Sequence, residues 1–445
     1  MINKKVILGS TLLIVLLLGS CSQLKKLPIV TGYAAKKVCT YTFVSNLPQE
    51  TIESEDLGLP ILQIATNRID KEEQSVTSKA LGLLGTKTAV YREGLGCVLL
   101  HGEDDFQVAY PGLSEKSEET EGLTTSTAVT PLPKHTEISA PLAAAVEALF
   151  DPNGGMDYLN TRAVVVVHKD TIVAEKYADG IDKHTELLGW SMTKSIMNAW
   201  VGMLIMDGQI AVTDTELMPE WIDERKDLSL EHLLHMDSGL DWSEDYTTIS
   251  GATTMLFDAE DAVRTAASYP LAHTPGSKWL YSSGTTNIIS GYLRRQYEQY
   301  EDYQRYPHER IFGPLGMESA VLEIDETGNY IGSSYCYATA RDWARFGLLY
   351  LHDGVWDGQR LLPEGWVDYT TQVVPDSKGL YGAHFWLNVE GADMPDVPHD
   401  TFMCKGYQGQ LVIIIPSEDM VIVRLGLNEN LDFNTFVADI IASVQ

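Results

Sequence analysis

The chain has little positive charge: 32 lysines and arginines stand against 62 aspartates and glutamates, a formal net charge of −30. Nucleic-acid phosphates would be repelled by such a surface, which argues against DNA or RNA as a partner. Adsorption to anionic lipid headgroups is disfavoured for the same reason, and charge of this kind says nothing about fold. Long apolar runs are missing after the first twenty residues, so no later stretch reads as a transmembrane helix. Cysteine is scarce, at five residues. No CxxC pair or Cys/His cluster has zinc spacing. His232 and His235 lie three apart on an expected helix without a recognisable third ligand, so neither a metal nor a cofactor is expected. No internal repeat is visible.

What is present begins with a leader. Lys4 and Lys5 precede an apolar segment, Val6 to Leu18, that is too short to stay as a membrane span, and Gly19 and Ser20 lead into Cys21. Leu18-Gly19-Ser20-Cys21 resembles a bacterial lipobox. That resemblance implies removal of residues 1–20, lipidation of Cys21 as the mature N-terminus, and a protein anchored in the cell envelope rather than spanning a membrane. An ordinary secretory signal is the alternative; both readings take the chain out of the cytoplasm. Without the two leader lysines the formal charge is −32. The other four cysteines, Cys39, Cys97, Cys336 and Cys404, allow three disulfide pairings in an oxidising compartment. Cys39 and Cys97 share the N-terminal region and can bridge.

At 445 residues with 44% apolar content, the chain has room for two domains with a large core. Residues 21–110 read as an accessory unit with short β-like runs at 38–44, 60–64, 88–91 and 97–100. A Ser-, Thr-, Glu- and Pro-rich linker follows at 111–139. The unit at 140–445 opens with a helix over 140–150 and a turn at 151–155. A hairpin comes next, from strands 162–168 and 171–177 joined at Lys169-Asp170. Its middle, 215–375, is helix-rich, and its end returns to strands at 383–387, 401–404, 410–415 and 420–425 before a helix over 433–444. Strands at both ends around a helical middle predict an α+β fold, one antiparallel sheet flanked by helices with a helical subdomain inserted.

Ser191-Met192-Thr193-Lys194 is the segment that carries chemistry. Serine and lysine three apart share one helix face. There a neutral amine can take the proton of the hydroxyl and activate it against acyl carbons. The same spacing occurs at Ser22 and Lys25, behind the processing site, with no helical run after it. Only the later copy precedes an apolar helix face, formed by Ile196, Met197, Trp200, Val201, Leu204 and Ile205 and closed by Gly208. Lys194 must be neutral for part of the cycle and so requires burial or a second cation. Tyr281, after the Pro275-Gly276 turn, is a candidate proton-handling partner. For the oxyanion, the backbone N–H of Ser191 and that of Tyr407 are the candidate donors, with Gly406 leaving the strand edge open to substrate.

Taken in this order, the segments resemble the serine β-lactamase and penicillin-binding superfamily. They look most like its class C branch, which includes esterases, D-amino-acid peptidases and 6-aminohexanoate-dimer hydrolases. The Ser-x-x-Lys motif is matched at Ser191 and Lys194, and the Tyr-x-Asn/Ser motif at Tyr281 and Ser283. The third motif, a Lys/His-x-Gly strand, falls at Cys404, Lys405 and Gly406. The resemblance extends through His232-Leu233-Leu234-His235-Met236-Asp237-Ser238-Gly239-Leu240, through residues 337–345 and through 362–366, and covers 140–445.

Two departures narrow it. Ser283 replaces the asparagine of β-lactamases proper, and Cys404 replaces the cation that would grip a substrate carboxylate. Strand alternation turns the adjacent Lys405 to the opposite face. The resemblance therefore implies an exported serine hydrolase for a small ester, amide or peptide. A β-lactamase, a D,D-peptidase, or a non-catalytic binding protein on the same scaffold are the alternatives.

Overall fold

In the computed structural model, residues 24–102, 131–150, 160–428 and 430–444 are described. The expected leader with Cys21, most of the expected linker and the expected turn at 151–155 lie outside them. The N-terminal part is a 17-residue helix, α1 (Leu27–Phe43), laid across an antiparallel sheet. That sheet is built in order from β1 (Ala65–Asp70), β2 (Ser75–Ala80), β3 (Leu84–Arg92) and β4 (Gly96–Leu100).

The expected strand at 38–44 is thus corrected to the second half of α1, and 60–64 is a turn with a 3-10 helix at Leu62–Ile64. Burial explains the first miss. Val30 to Tyr41 are buried on every side of the helix, Lys36 and Lys37 included. A helix without a solvent face has no 3.6-residue period, and its alternating Val38, Thr40 and Thr42 imitate a strand. β1 and β2 escaped detection because their sequences, ATNRID and SVTSKA, are polar. A Cys39–Cys97 disulfide ties α1 to β4.

The larger sheet joins both ends of the remaining chain. A helix, α2 (Ala140–Glu147), leads into β5 (Thr161–His168) and β6 (Thr171–Tyr177). Lys169 and Asp170 between them both take positive φ, 49° and 59°, the tight hairpin geometry that matches strand twist. Four further strands complete the sheet: β7 (Trp386–Leu387), β8 (Phe402–Gly406), β9 (Gln410–Ile415) and β10 (Met420–Gly426). The order is β7-β8-β9-β10-β5-β6, antiparallel throughout.

Alternation along these strands feeds two separate cores. Val164, Val166, Met403, Ile413 and Ile422 face the terminal helices, α2 and a C-terminal helix over Phe433–Val444. Val165, Val167, Cys404, Val412 and Val423 face the helical part. With both faces covered, the central strands read as continuous apolar runs rather than as alternating ones.

The apolar cluster on that second face continues without a break into the N-terminal unit. Glu323, fully buried, ties the two together. It accepts from the Cys97 backbone N–H at 2.7 Å and the Thr40 hydroxyl at 2.5 Å, and it pairs with Lys36 at 2.8 Å. Arg162 at the start of β5 binds Asp56 at 2.6 Å and Glu55 at 2.9 Å. Buried charges are tolerated only when paired in this way.

Candidate active site

Ser191 lies in a 3-10 turn, Trp190–Met192, that runs into α3 (Thr193–Met206). Trp190 is held at φ 48°. The Thr193 hydroxyl donates to its carbonyl at 2.7 Å, and the Cys336 N–H donates to Thr193 at 3.0 Å. Behind the turn, Tyr33 of α1 stacks on the Trp190 ring at 6.1 Å, and Lys37 lies 4.9 Å above it. The N-terminal helix therefore forms part of the wall that supports the serine.

Lys194 is buried, and its ammonium nitrogen makes three contacts: Ser191 Oγ at 2.9 Å, Ser283 Oγ at 2.9 Å and the Ser333 carbonyl at 3.0 Å. Ser283 opens helix α4 (Ser283–Arg294) and donates its hydroxyl proton to Glu244, so toward Lys194 it can only accept. Ser333 offers a carbonyl, which also only accepts. Two amine hydrogens are thereby fixed. The third tetrahedral position faces Ser191, as an N–H when the amine is charged and as a lone pair when it is neutral. Burial pulls the Lys194 amine down from its ordinary 10.5 to about 8, opposed by the negative charge of Glu244.

Tyr281 is in hydrogen-bond contact with Ser191, and the Lys194 nitrogen lies 4.8 Å from its ring centre. Burial, with the Glu244 charge adding to it, pushes the Tyr281 phenol far above its usual range, so it is protonated at neutral pH. His384 lies on the far side of α3, its Nδ1 at 3.0 Å from the Lys194 carbonyl oxygen, and burial drives its imidazole down to about 3. Its φ of 59° also breaks the expected strand at 383–387 near its start, leaving only β7.

The sequence did not single out Glu244. Its carboxylate accepts four donors: the Ser283 N–H at 2.9 Å, the Ser283 hydroxyl, the Trp242 ring N–H at 2.5 Å and the Tyr246 hydroxyl at 2.8 Å. A single acid in a loop carries no spacing signal, and only tertiary contact brings it to within one hydroxyl of the lysine.

The remaining candidates are placed as follows. β8 ends so close to the serine turn that a Cβ on Gly406 would stand 2.1 Å from the Gly189 carbonyl oxygen, so only glycine fits. Tyr407 follows, its ring edge-on to Trp190 at 5.6 Å and stacked on Tyr246 at 5.7 Å. Across the serine, Tyr281 packs on Trp386 at 5.3 Å. Cys404 is a free, buried thiol pushed up to about 12 by burial. Lys405 leaves on the opposite face, pairing with Asp393 at 2.8 Å and lying 5.8 Å from the Phe433 ring. The catalytic face of β8 therefore carries no cation.

Comparison with known proteins agrees with this geometry. Residues 146–429 match the family described as Beta-lactamase. The chain is 26% identical over 321 residues to a 6-aminohexanoate-dimer hydrolase of Paenarthrobacter ureafaciens, covering 64% of this chain and 77% of that protein. Among solved structures, a putative 6-aminohexanoate-dimer hydrolase from Bacillus anthracis superimposes with a TM-score of 0.59 at 21% identity, over 71% of this chain and 87% of that one. A penicillin-binding protein homologue from Caulobacter crescentus gives 0.52 at 17% identity, over 69% and 98%.

Proposed function

The chain belongs to the beta-lactamase family and is a serine hydrolase, and from that premise we propose that it cleaves small esters or amides through an acyl-enzyme on Ser191. The observation that carries this reading is the Lys194 nitrogen, 2.9 Å from Ser191 Oγ with its other two contacts fixed. Neutral Lys194 takes the hydroxyl proton as Oγ bonds to the carbonyl carbon. The backbone N–H groups of Ser191 and Tyr407 hold the oxyanion. As the intermediate collapses, Tyr281 gives its proton to the leaving alcohol or amine, and charged Lys194 reprotonates the phenolate. Water then releases the acid by the same steps in reverse order.

The name of the Paenarthrobacter relative supports a small amide as substrate. The cation-free face of β8 supports neutral substrates over β-lactams, whose carboxylate would find no partner at Cys404. The Cys39–Cys97 disulfide supports export to an oxidising compartment, with Cys21 as the lipidated anchor.

An active-site fluorophosphonate is the test. One label per chain is expected on the peptide bearing Ser191, with p-nitrophenyl butyrate hydrolysis lost in parallel. Undiminished hydrolysis in fully labelled protein, or hydrolysis without labelling, refutes the assignment. Because Glu244 raises the Lys194 titration and orients the Ser283 hydroxyl, Glu244→Gln is expected to shift the acid limb of kcat/KM to lower pH. Its plateau should fall by about tenfold, the scale of one misdirected charge-assisted hydrogen bond. An unshifted pH–rate profile would remove Glu244 from this role.

A further inference from the structure

Large apolar side chains are exposed at eleven places among the described residues, and six of them, Leu24, Leu59, Ile61, Leu81, Leu83 and Leu84, belong to one end of the N-terminal unit. The β2–β3 hairpin tip supplies three. Its Leu81 and Leu83 are 69% and 83% exposed. This tip is built tightly, with Leu81 at φ 50° and Gly82 at φ 74°. Tips of this kind are ordinarily polar.

Neighbouring contacts bring the others to the same end. The Leu81 N–H donates to the Ile64 carbonyl at 2.9 Å, which sets the 59–64 turn beside the tip, and Ala65 pairs with Ala80. Gly85 lies against Leu27 at the start of α1, where the Thr31 hydroxyl donates to the Gly85 carbonyl. Leu24 stands one turn before Leu27. A contiguous patch of this kind on an otherwise acidic chain marks an interaction surface.

We propose that this end of the N-terminal unit inserts its leucines into a lipid bilayer. Cys21 lies three residues before Leu24, at most about 11 Å of extended chain. A lipid on that cysteine therefore places the bilayer surface beside the patch. Lys25, Lys26 and Lys79 flank it at headgroup level, where long basic side chains are favoured. An apolar insertion next to the lipid on Cys21 adds a second attachment and holds the unit against the surface. Lys37, over the Trp190 ring, is ten residues along α1 from Leu27, roughly 15 Å of helix, so α1 runs from the patch to the wall behind the serine turn.

The choice of bilayer as occupant rests on the envelope placement proposed above, and the experiment separates the two. In full-length chain, an environment-sensitive fluorophore is placed on Leu83→Cys, with Ile222→Cys, 91% exposed and outside the N-terminal unit, as control. Cys21 is changed to Ser wherever it carries no lipid, and the free thiols among the described residues, Cys336 and Cys404, are buried and do not compete for label. On phosphatidylcholine–phosphatidylethanolamine vesicles, the label at 83 should shift to the blue and be quenched by lipid-borne bromine, and the label at 222 should not. In a Cys21→Ser background, vesicle partitioning should fall at least tenfold when Leu81→Asp, Leu83→Asp and Leu84→Asp are added, with ester hydrolysis retained.

Equal solvent exposure of both labels on vesicles overturns the proposal even if Cys21 is lipidated. So does shielding of position 83 without vesicles that grows with protein concentration, since that shows a second copy to be the occupant. Should the triple variant not fold, the single-site label alone decides.

Discussion

Ser191→Ala is expected to lower kcat for ester hydrolysis by at least about 10⁴-fold, because an acyl-enzyme route has no substitute for its nucleophile. The change is locally mild. Lys194 keeps its contacts to Ser283 and the Ser333 carbonyl, and only one half-buried hydroxyl is removed. Thermal stability should therefore stay close to wild type, which separates lost chemistry from lost fold. A panel of p-nitrophenyl esters, short amides, D-peptides and β-lactams, assayed on wild type and variant together, also reports substrate class. Esters and amides should be turned over by wild type alone, and β-lactams by neither. Wild-type rates in the alanine variant would dismiss Ser191 as nucleophile.

Lys194→Met should cost about 10³-fold in kcat, within the range of a lost general base, and it also alters the pH dependence of stability. In the proposed route the neutral amine is the active form, so wild-type kcat/KM should rise with pH and level off above about 8. Tyr281, held protonated by burial, should introduce no alkaline limb in the same range.

The sign of the stability effect follows from the same lowered titration. Below about 8 the lysine is charged in folded and unfolded chains alike, and the folded state bears the full desolvation cost. Between about 8 and 10.5 the folded protein binds fewer protons than the unfolded chain, and the cost is relieved as pH rises. Relative to the Met variant, wild type should gain on the order of 3 kcal/mol across that interval. Denaturant unfolding at pH 7 and pH 10.5 measures it. A constant difference between the two proteins would mean that Lys194 is not desolvated.

These effects concern residues that local spacing exposed. Ser191 and Lys194 sit in one turn, so helix geometry alone brings their side chains together, and the apolar face behind them distinguishes this copy from Ser22 and Lys25. Tyr281, Gly406 and Tyr407 were reachable only through motif order, since a tyrosine or glycine in isolation has many commoner roles. Strand alternation placed Lys405 on the face away from the serine, and its pairing with Asp393 agrees. Glu244 stayed hidden because its function depends on four donors from three side chains and a helix end, which are set together by packing.

The N-terminal unit divides along the same line. Its strands β3 and β4 could be read, because β-branched runs are local signals; Cys39–Cys97 was one of three pairings the sequence left open, and the structure forms it. Helix α1 could not be read, since burial on every face erases the period by which a helix is recognised. By itself the sequence determined the α+β class, the acidic charge and the pairing of Ser191 with Lys194, proposed as nucleophile and base, all of which follow from composition and from neighbours in the chain. Tertiary structure decided which acid holds the Ser283 hydroxyl beside the lysine, that α1 backs the serine turn, and that six apolar side chains meet at one end of the unit. Each of these joins distant segments through packing and hydrogen bonds that no local window contains.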